Sequence, residues 1–304
     1  MEKFEVTILG CGSALPTLQH NPSAQIVDIR GKLSLIDCGE GTQMQMRRYG
    51  IHFMKLRNIF ISHLHGDHCF GLMGLISTLG LLGRTSSLHL YAPIAFESSF
   101  HEQMRLFCDN LSYEVIFHPV DTTKYQCIYS DRSMEIFTLP LNHRVPCCGF
   151  LFKETPSLPH INRRMIDFHH IPLSEINNIR QGADWIKADG TLVPNSVLTT
   201  PPSAPRSYAY CSDTLFQPDL CPLIDGVNTL YHEATYTDDL RLMAEKYYHS
   251  TATQAATIAR DAHANQLIIG HYSARYDTPH MHIEEAKRVF PATVGAIEGM
   301  MVNI

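Results

Sequence analysis

With 304 residues, 44% of them hydrophobic, the chain can bury a large core and only modestly exceeds the usual size of one domain. A formal net charge of −6 excludes a protein that coats nucleic acid indiscriminately, because such proteins gain affinity by releasing counterions from phosphates, so any polynucleotide contact has to be local. Nine cysteines without a C-x-x-C pair argue against a disulfide framework and fit a reducing cytoplasm, while 18 histidines raise the suspicion of a bound metal.

The amino terminus lacks the charged-then-apolar run of a secretory signal and instead predicts a strand over Val6 to Leu9, followed by the turn Gly10-Cys11-Gly12-Ser13. Strands follow at Ala24 to Ile29 and Leu33 to Ile36, a helix at Thr42 to Tyr49, and a β-branched-rich strand at Asn58 to Ser62. Phe70 to Leu82 is the longest apolar stretch, too short and too interrupted to cross a bilayer, so a buried helix and no membrane association are expected. Further strands are predicted at Leu88 to Tyr91, Tyr113 to Phe117, Lys124 to Tyr129 and Met134 to Pro140, with a helix over Ile94 to Leu106. Residues 155–206, rich in proline and polar groups, break this pattern and predict an inserted arm within a single domain spanning 1–304. Strand character resumes at Ser207 to Cys211, Thr229 to Tyr231 and Leu267 to Gly270, with helices near Asp238 to Tyr248, Thr253 to Ala264 and Ile283 to Phe290. Two strand-rich halves flanking an arm imply an α/β, four-layer αββα sandwich.

The chemistry concentrates in Ser62-His63-Leu64-His65-Gly66-Asp67-His68, at a strand end. Three imidazoles and a carboxylate this close are not explained by core packing. In a turn, His63 and His65 can face one point, and Gly66 lets the backbone fold back so that Asp67 and His68 face another. Two metal ions need more donors at other strand ends, and His143, Asp213 and His271 stand in such places.

This run is similar to the His-x-His-x-Asp-His signature of metallo-β-lactamase-fold hydrolases. The segments Leu9-Gly10-Cys11-Gly12-Ser13-Ala14-Leu15-Pro16-Thr17, Asp37-Cys38-Gly39-Glu40-Gly41-Thr42-Gln43, Cys211-Ser212-Asp213-Thr214, His232-Glu233-Ala234-Thr235 and His249-Ser250-Thr251 resemble the ribonuclease Z family, in its order. The resemblance implies a zinc-dependent endonuclease that removes the 3′ trailer from precursor transfer RNA, leaving a 3′-hydroxyl on the transfer RNA and a 5′-phosphate on the trailer. It implies two zinc ions per subunit, one on His63, His65 and His143, the other on Asp67, His68 and His271, with Asp213 bridging. It also implies that Glu233 supports His249. Asp67, His249 and Glu233 are the expected catalytic groups, Asp67 for the attacking water and the other two for protonating the leaving oxygen.

For substrate contacts, Arg47, Arg48, Lys55 and Arg57 form a stretch without acidic residues, expected to line phosphates beside the metal loop. The family carries an arm that clamps the transfer-RNA elbow from the partner subunit of a homodimer, and residues 155–206 stand in its place. Arg163 and Arg164 are the arm's expected RNA contacts, although Lys153 to Arg206 holds six basic and five acidic residues and lacks the lysine-rich character of bacterial arms. Two other readings stay open: a phosphodiesterase or arylsulfatase of the same fold, and a non-catalytic, metal-stabilised RNA-binding protein.

Overall fold

The computed structural model describes residues 2–304. The chain divides into two compact units: residues 2–153 together with Arg206–Ile304, and Glu154–Pro205.

In the larger unit the first sheet contains β1 (Phe4–Gly10), β2 (Ala24–Ile29), β3 (Lys32–Ile36), β4 (Leu56–Phe60), β5 (Leu88–Pro93) and β6 (Val115–Val120) in chain order. The second is built from β7 (Cys127–Ser130), β8 (Met134–Leu141), β9 (Cys147–Glu154), β10 (Ser207–Cys211), β11 (Thr229–Glu233), β12 (Gln266–Gly270) and β13 (Thr293–Gly295), in spatial order 13-12-11-10-9-8-7. A last strand, β14 (Met301–Asn303), returns to pair antiparallel with β1. Strands β3 to β6 are mutually parallel, as are β10 to β13.

Alternation of side chains assigns each face of the first sheet to a different core. Val27, Ile29 and Phe60 enter the core shared with the second sheet, where the Phe60 ring lies 5.4 Å from Phe150 and 5.7 Å from Phe152. Ile26, Ile59 and Ile61 face the other way, toward α1 (Thr42–Arg48), α2 (Leu72–Leu81) and α3 (Glu97–Phe107). The second sheet is covered in turn by α5 (Ala252–Asp261), whose Ala252, Ala255, Ala256 and Ala259 pack flat against it, and by α6 (His280–Val289); α4 (Arg241–Tyr247) precedes them. Each fully buried Leu, Ile or Phe contributes about 1.5–3 kcal/mol. The four layers are those of the expected αββα sandwich.

Helix α2 buries Leu72, Leu75, Ile76 and Leu79, and no helix among the described residues is long and apolar enough to cross a membrane. Strand β9 was not among the expected elements. It is covered on both faces, so Cys147-Cys148-Gly149-Phe150-Leu151-Phe152 shows no alternation. Gly149 there reflects close backbone approach: a Cβ would stand 2.2 Å from the Tyr210 carbonyl oxygen.

The smaller unit has its own core of Ile166, Ile171, Ile179, Val193 and Leu198. It is framed by two short ribbons, His160–Ile161 with Thr199–Thr200 and Trp185–Ile186 with Leu192–Val193. Arg163 and Arg164 are exposed on its first helical turns, Arg163 pairing with Asp167 at 3.2 Å.

Candidate metal centre and active site

Parallel strands deliver the chemistry, because the loops beyond their carboxyl ends gather at one edge of an α/β sheet. His63 follows β4, Asp213 follows β10, Glu233 ends β11 and His271 follows β12, while His143 follows β8. One helical turn, Gly66–Cys69, then presents Asp67 and His68. Gly66 does not serve to fold the backbone back, as the sequence leads one to expect. It is not among the positive-φ residues; a Cβ there would meet the Phe70 ring at 2.4 Å, so the glycine provides room rather than backbone freedom.

Two donor sets converge. In the first, His65 Nδ1 lies 3.0 Å from His63 Nε2 and 3.3 Å from His143 Nε2, and Asp213 Oδ2 lies 3.6 Å from His63 Nε2 and 3.8 Å from His143 Nε2. In the second, His68 Nε2 and His271 Nε2 are 3.3 Å apart and Asp67 Oδ2 is 3.5 Å from each. Asp213 Oδ1 completes this set at 3.4 Å from His68 and 3.2 Å from His271. Tetrahedral zinc with N and O ligands at about 2.0–2.1 Å spaces its donors about 3.3 Å apart, so both sets have the dimensions of such a site. Asp213 Oδ1 is buried without a hydrogen bond, the mark of an oxygen reserved for a cation.

The outward nitrogens are held so that the inward ones keep their lone pairs. Asp37, buried and in the left-handed region (φ 54), accepts from Ser62 N at 2.8 Å, Ser62 Oγ at 2.9 Å, His68 Nδ1 at 2.8 Å and Tyr210 Oη at 2.7 Å. Ser62 Oγ in turn meets His63 Nδ1 at 3.0 Å, the Tyr248 carbonyl holds His143 Nδ1 at 2.9 Å, and Thr235 Oγ1 holds His271 Nδ1 at 2.9 Å. Burial first, and mutual repulsion among the imidazoles second, push His63 and His65 below the ordinary histidine pKa; burial does the same for His143. These rings are therefore neutral near pH 7, the state in which an imidazole can hold a metal. His68 goes the other way: burial opposes its charge, but Asp213, Asp67 and Asp37 surround it and win, which shows a negative excess suited to a cation.

The Tyr210–Asp37–His68 chain has a measurable consequence. Tyr210→Phe removes one of four donors to Asp37 and is expected to weaken metal binding about tenfold while leaving the fold intact. Competition titration with a chelator checks it; unchanged affinity would show that Asp37 holds His68 without Tyr210.

Beside the donor sets stands His249, whose Nδ1 lies 2.9 Å from Glu233 Oε1 and 4.0 Å from Asp213 Oδ2. Glu233 is fully buried yet well satisfied, accepting from Thr214 N at 3.1 Å, Ser250 N at 3.0 Å, Thr235 N at 2.9 Å and Thr235 Oγ1 at 2.7 Å. Burial disfavours charge on both partners, but their attraction prevails, holding His249 above and Glu233 below the ordinary pKa.

A cavity of about 400 Å³ opens over the donors, lined by Asp67, Asp213, His249 and His271 and walled by Phe70, Arg144, Pro16 and Pro22. An adjoining cavity of about 450 Å³ runs from His249 past Arg144, Arg275, Tyr236 and Tyr247. Arg144, Arg275, Tyr236 and Tyr247 are not among the expected contact residues: they form no pattern of their own, and their one signal in the sequence is closeness to His143, His271, Thr235 and His249. The stretch expected beside the metal loop lies elsewhere. Arg47 and Arg48 end α1, and Lys55 and Arg57 sit at the start of β4, the end opposite His63; all four are exposed and line neither cavity.

An αββα sandwich with histidine and aspartate donor sets at its strand ends defines a metal-dependent hydrolase of the metallo-β-lactamase fold. A protein of that fold from Bacillus subtilis superposes with a TM-score of 0.69 at 19% identity, both chains fully covered, and human tRNase Z, short form, with a TM-score of 0.70 at 23% identity over 98% of each chain. Ribonuclease Z of Bacteroides fragilis is 51% identical over the whole length of both chains, and the chain belongs to the ribonuclease Z family of endoribonucleases. The family described as "Anti-Pycsar protein Apyc1" matches residues 4–154, the half that carries the histidine run.

Proposed function

We propose that the chain holds two zinc ions and cuts precursor transfer RNA on the 3′ side of the nucleotide preceding the CCA position, leaving a 3′-hydroxyl on the transfer RNA and a 5′-phosphate on the trailer. The observation that carries the reading is the pairing of the two donor sets, joined by the two oxygens of Asp213, with the Glu233–His249 couple beside them. His63, His65 and His143 would hold one ion and Asp67, His68 and His271 the other. Zinc so placed lowers the pKa of water and neutralises charge gathering on a phosphodiester in displacement.

The chain's own groups do the rest. Asp67, fixed by the Ala14 N–H at 2.7 Å, orients the attacking water. His249, kept protonated by Glu233, donates its proton to the departing 3′-oxygen as the P–O bond breaks. Arg144 and Arg275 neutralise flanking phosphates, and Tyr247, the exposed aromatic of the adjoining cavity, offers its ring to a base. We take Arg47, Arg48, Lys55 and Arg57 as outlying phosphate contacts. The arm, through Arg163 and Arg164, engages the transfer-RNA elbow from the partner subunit of a cytoplasmic homodimer.

Mapping the cut on 3′-extended transfer RNAs, with and without encoded CCA, tests the reading. A single cut at the stated position supports it; intact precursor alongside hydrolysis of small phosphodiesters would make the chain a phosphodiesterase of another kind. Removal of residues 155–205, joined by a short linker, is expected to raise KM for precursor at least about tenfold while small phosphodiesters are still cleaved. Unchanged transfer-RNA affinity would refute the clamp.

A further inference from the structure

Away from the main centre, Cys11, His20 and Glu298 bring three ligand types to one point. His20 Nδ1 lies 3.5 Å from Cys11 Sγ and 3.2 and 3.3 Å from the two oxygens of Glu298. Cys11 is fully buried at the end of β1, and His20 and Glu298 are mostly covered. Ligands at the zinc–nitrogen, zinc–oxygen and zinc–sulfur bond lengths of a tetrahedral ion stand about 3.3 Å apart for N and O and about 3.5 Å apart for N and S, which are the spacings found here.

We propose that Cys11, His20 and Glu298 form a separate binding site for a borderline divalent cation of the zinc class, which clips the loop before β2 to the turn before β14. On binding, the Cys11 thiol releases its proton to solvent and the sulfur exchanges its 3.5 Å contact with the Ala296 carbonyl for the ion. Burial otherwise keeps that thiol protonated, since it pushes the Cys11 pKa up. Outer contacts already fix the ligands: Asn21 N donates to Glu298 Oε1 at 2.9 Å, and the His20 backbone is tied to Thr17 Oγ1 at 2.9 Å. A small cavity of about 40 Å³ bordered by His20, Gly12 and Tyr272 leaves room for water beside the imidazole, as a three-ligand site needs. The clipped loop matters to the main centre, because Ala14 binds Asp67 and Pro16 and Pro22 wall the cavity.

Cobalt loading of the full chain tests this site apart from the other. Neither donor set of the main centre contains sulfur, so a near-ultraviolet thiolate-to-cobalt charge-transfer band that Cys11→Ser abolishes reports Cys11. The wild-type chain is expected to show the band as it saturates, Cys11→Ser and His20→Gln to lack it, and Asp213→Ala to keep it while losing metal from the main centre. Glu298→Gln is expected to weaken the band-forming affinity at least about tenfold. Saturation without the band, or a band that survives Cys11→Ser, overturns the proposal and leaves the three residues as an ion pair capped by a thiol. If Cys11→Ser does not fold, the wild-type band and its loss in His20→Gln decide the matter. Because the band is independent of how many ions the main centre takes, a failure here is distinguishable from a failure of the proposed function.

Discussion

Asp213→Ala is expected to strip metal from both donor sets together, lowering purified zinc content by about the two ions proposed for the main centre and slowing precursor cleavage by more than about 10³-fold, since each cation contributes several kcal/mol of charge stabilisation. The reason is that one carboxylate serves both: Oδ2 faces His63 and His143, and Oδ1 faces His68 and His271. Without it, each set keeps three donors, and the first keeps only neutral imidazoles. Asp67→Ala, by contrast, removes a donor from the second set alone and should leave the first ion in place. Elemental analysis of the two variants, with circular dichroism to confirm folding, separates them. Because ions that bind only the folded chain stabilise it, a chelator should lower the wild-type Tm by more than that of Asp213→Ala, which has no main-centre ions to lose. Retention of both ions by Asp213→Ala would end the bridging assignment.

The legibility of these groups in the sequence followed their covalent closeness. Four donors within six residues announce themselves, and the strand pattern before His143, Asp213 and His271 pointed to where the rest of a set belonged. Asp37 was visible only as part of a glycine-rich turn. Its work, holding His68 and Ser62, depends on a left-handed backbone and on Tyr210 from the opposite sheet, and no local periodicity encodes such a pairing. Strand β9 escaped for a related reason: burial on both faces removes the alternation by which half-exposed strands are recognised. The basic stretch from Arg47 to Arg57 lies away from the metal loop for another reason. Proximity to the histidine run in sequence is not proximity in space, because β4 runs between them and places the cations at its far end. Arg144 and Arg275, isolated in sequence, are the cations that reach the cavities.

Glu233 and His249 should be separable by measuring chemistry and metal affinity side by side. His249→Ala removes a group that touches no outward ligand nitrogen within hydrogen-bonding reach, so metal content should persist while single-turnover cleavage falls roughly 10²–10⁴-fold, the range of a lost general acid. Glu233→Gln reaches further. The carboxylate accepts from five groups, His249 Nδ1, Thr214 N and Ser250 N on one oxygen and the Thr235 N and Oγ1 on the other. An amide turns one of those oxygens into a donor facing donors. If the NH₂ faces His249, the imidazole loses the charge that keeps it protonated; if it faces Thr235, the hydroxyl that holds His271 Nδ1 at 2.9 Å is displaced. The Thr235 side presents two donors against three on the His249 side, so the NH₂ is expected there, and Glu233→Gln should lose both turnover, on the scale of His249→Ala because the charge beside His249 is gone, and about 10–100-fold in second-ion affinity. The two variants therefore diverge in a zinc competition titration although they resemble each other in rate. Loss of zinc from His249→Ala to the same extent would instead make that histidine a prop of the centre, and the proton for the leaving oxygen would have to come from elsewhere in the cavity.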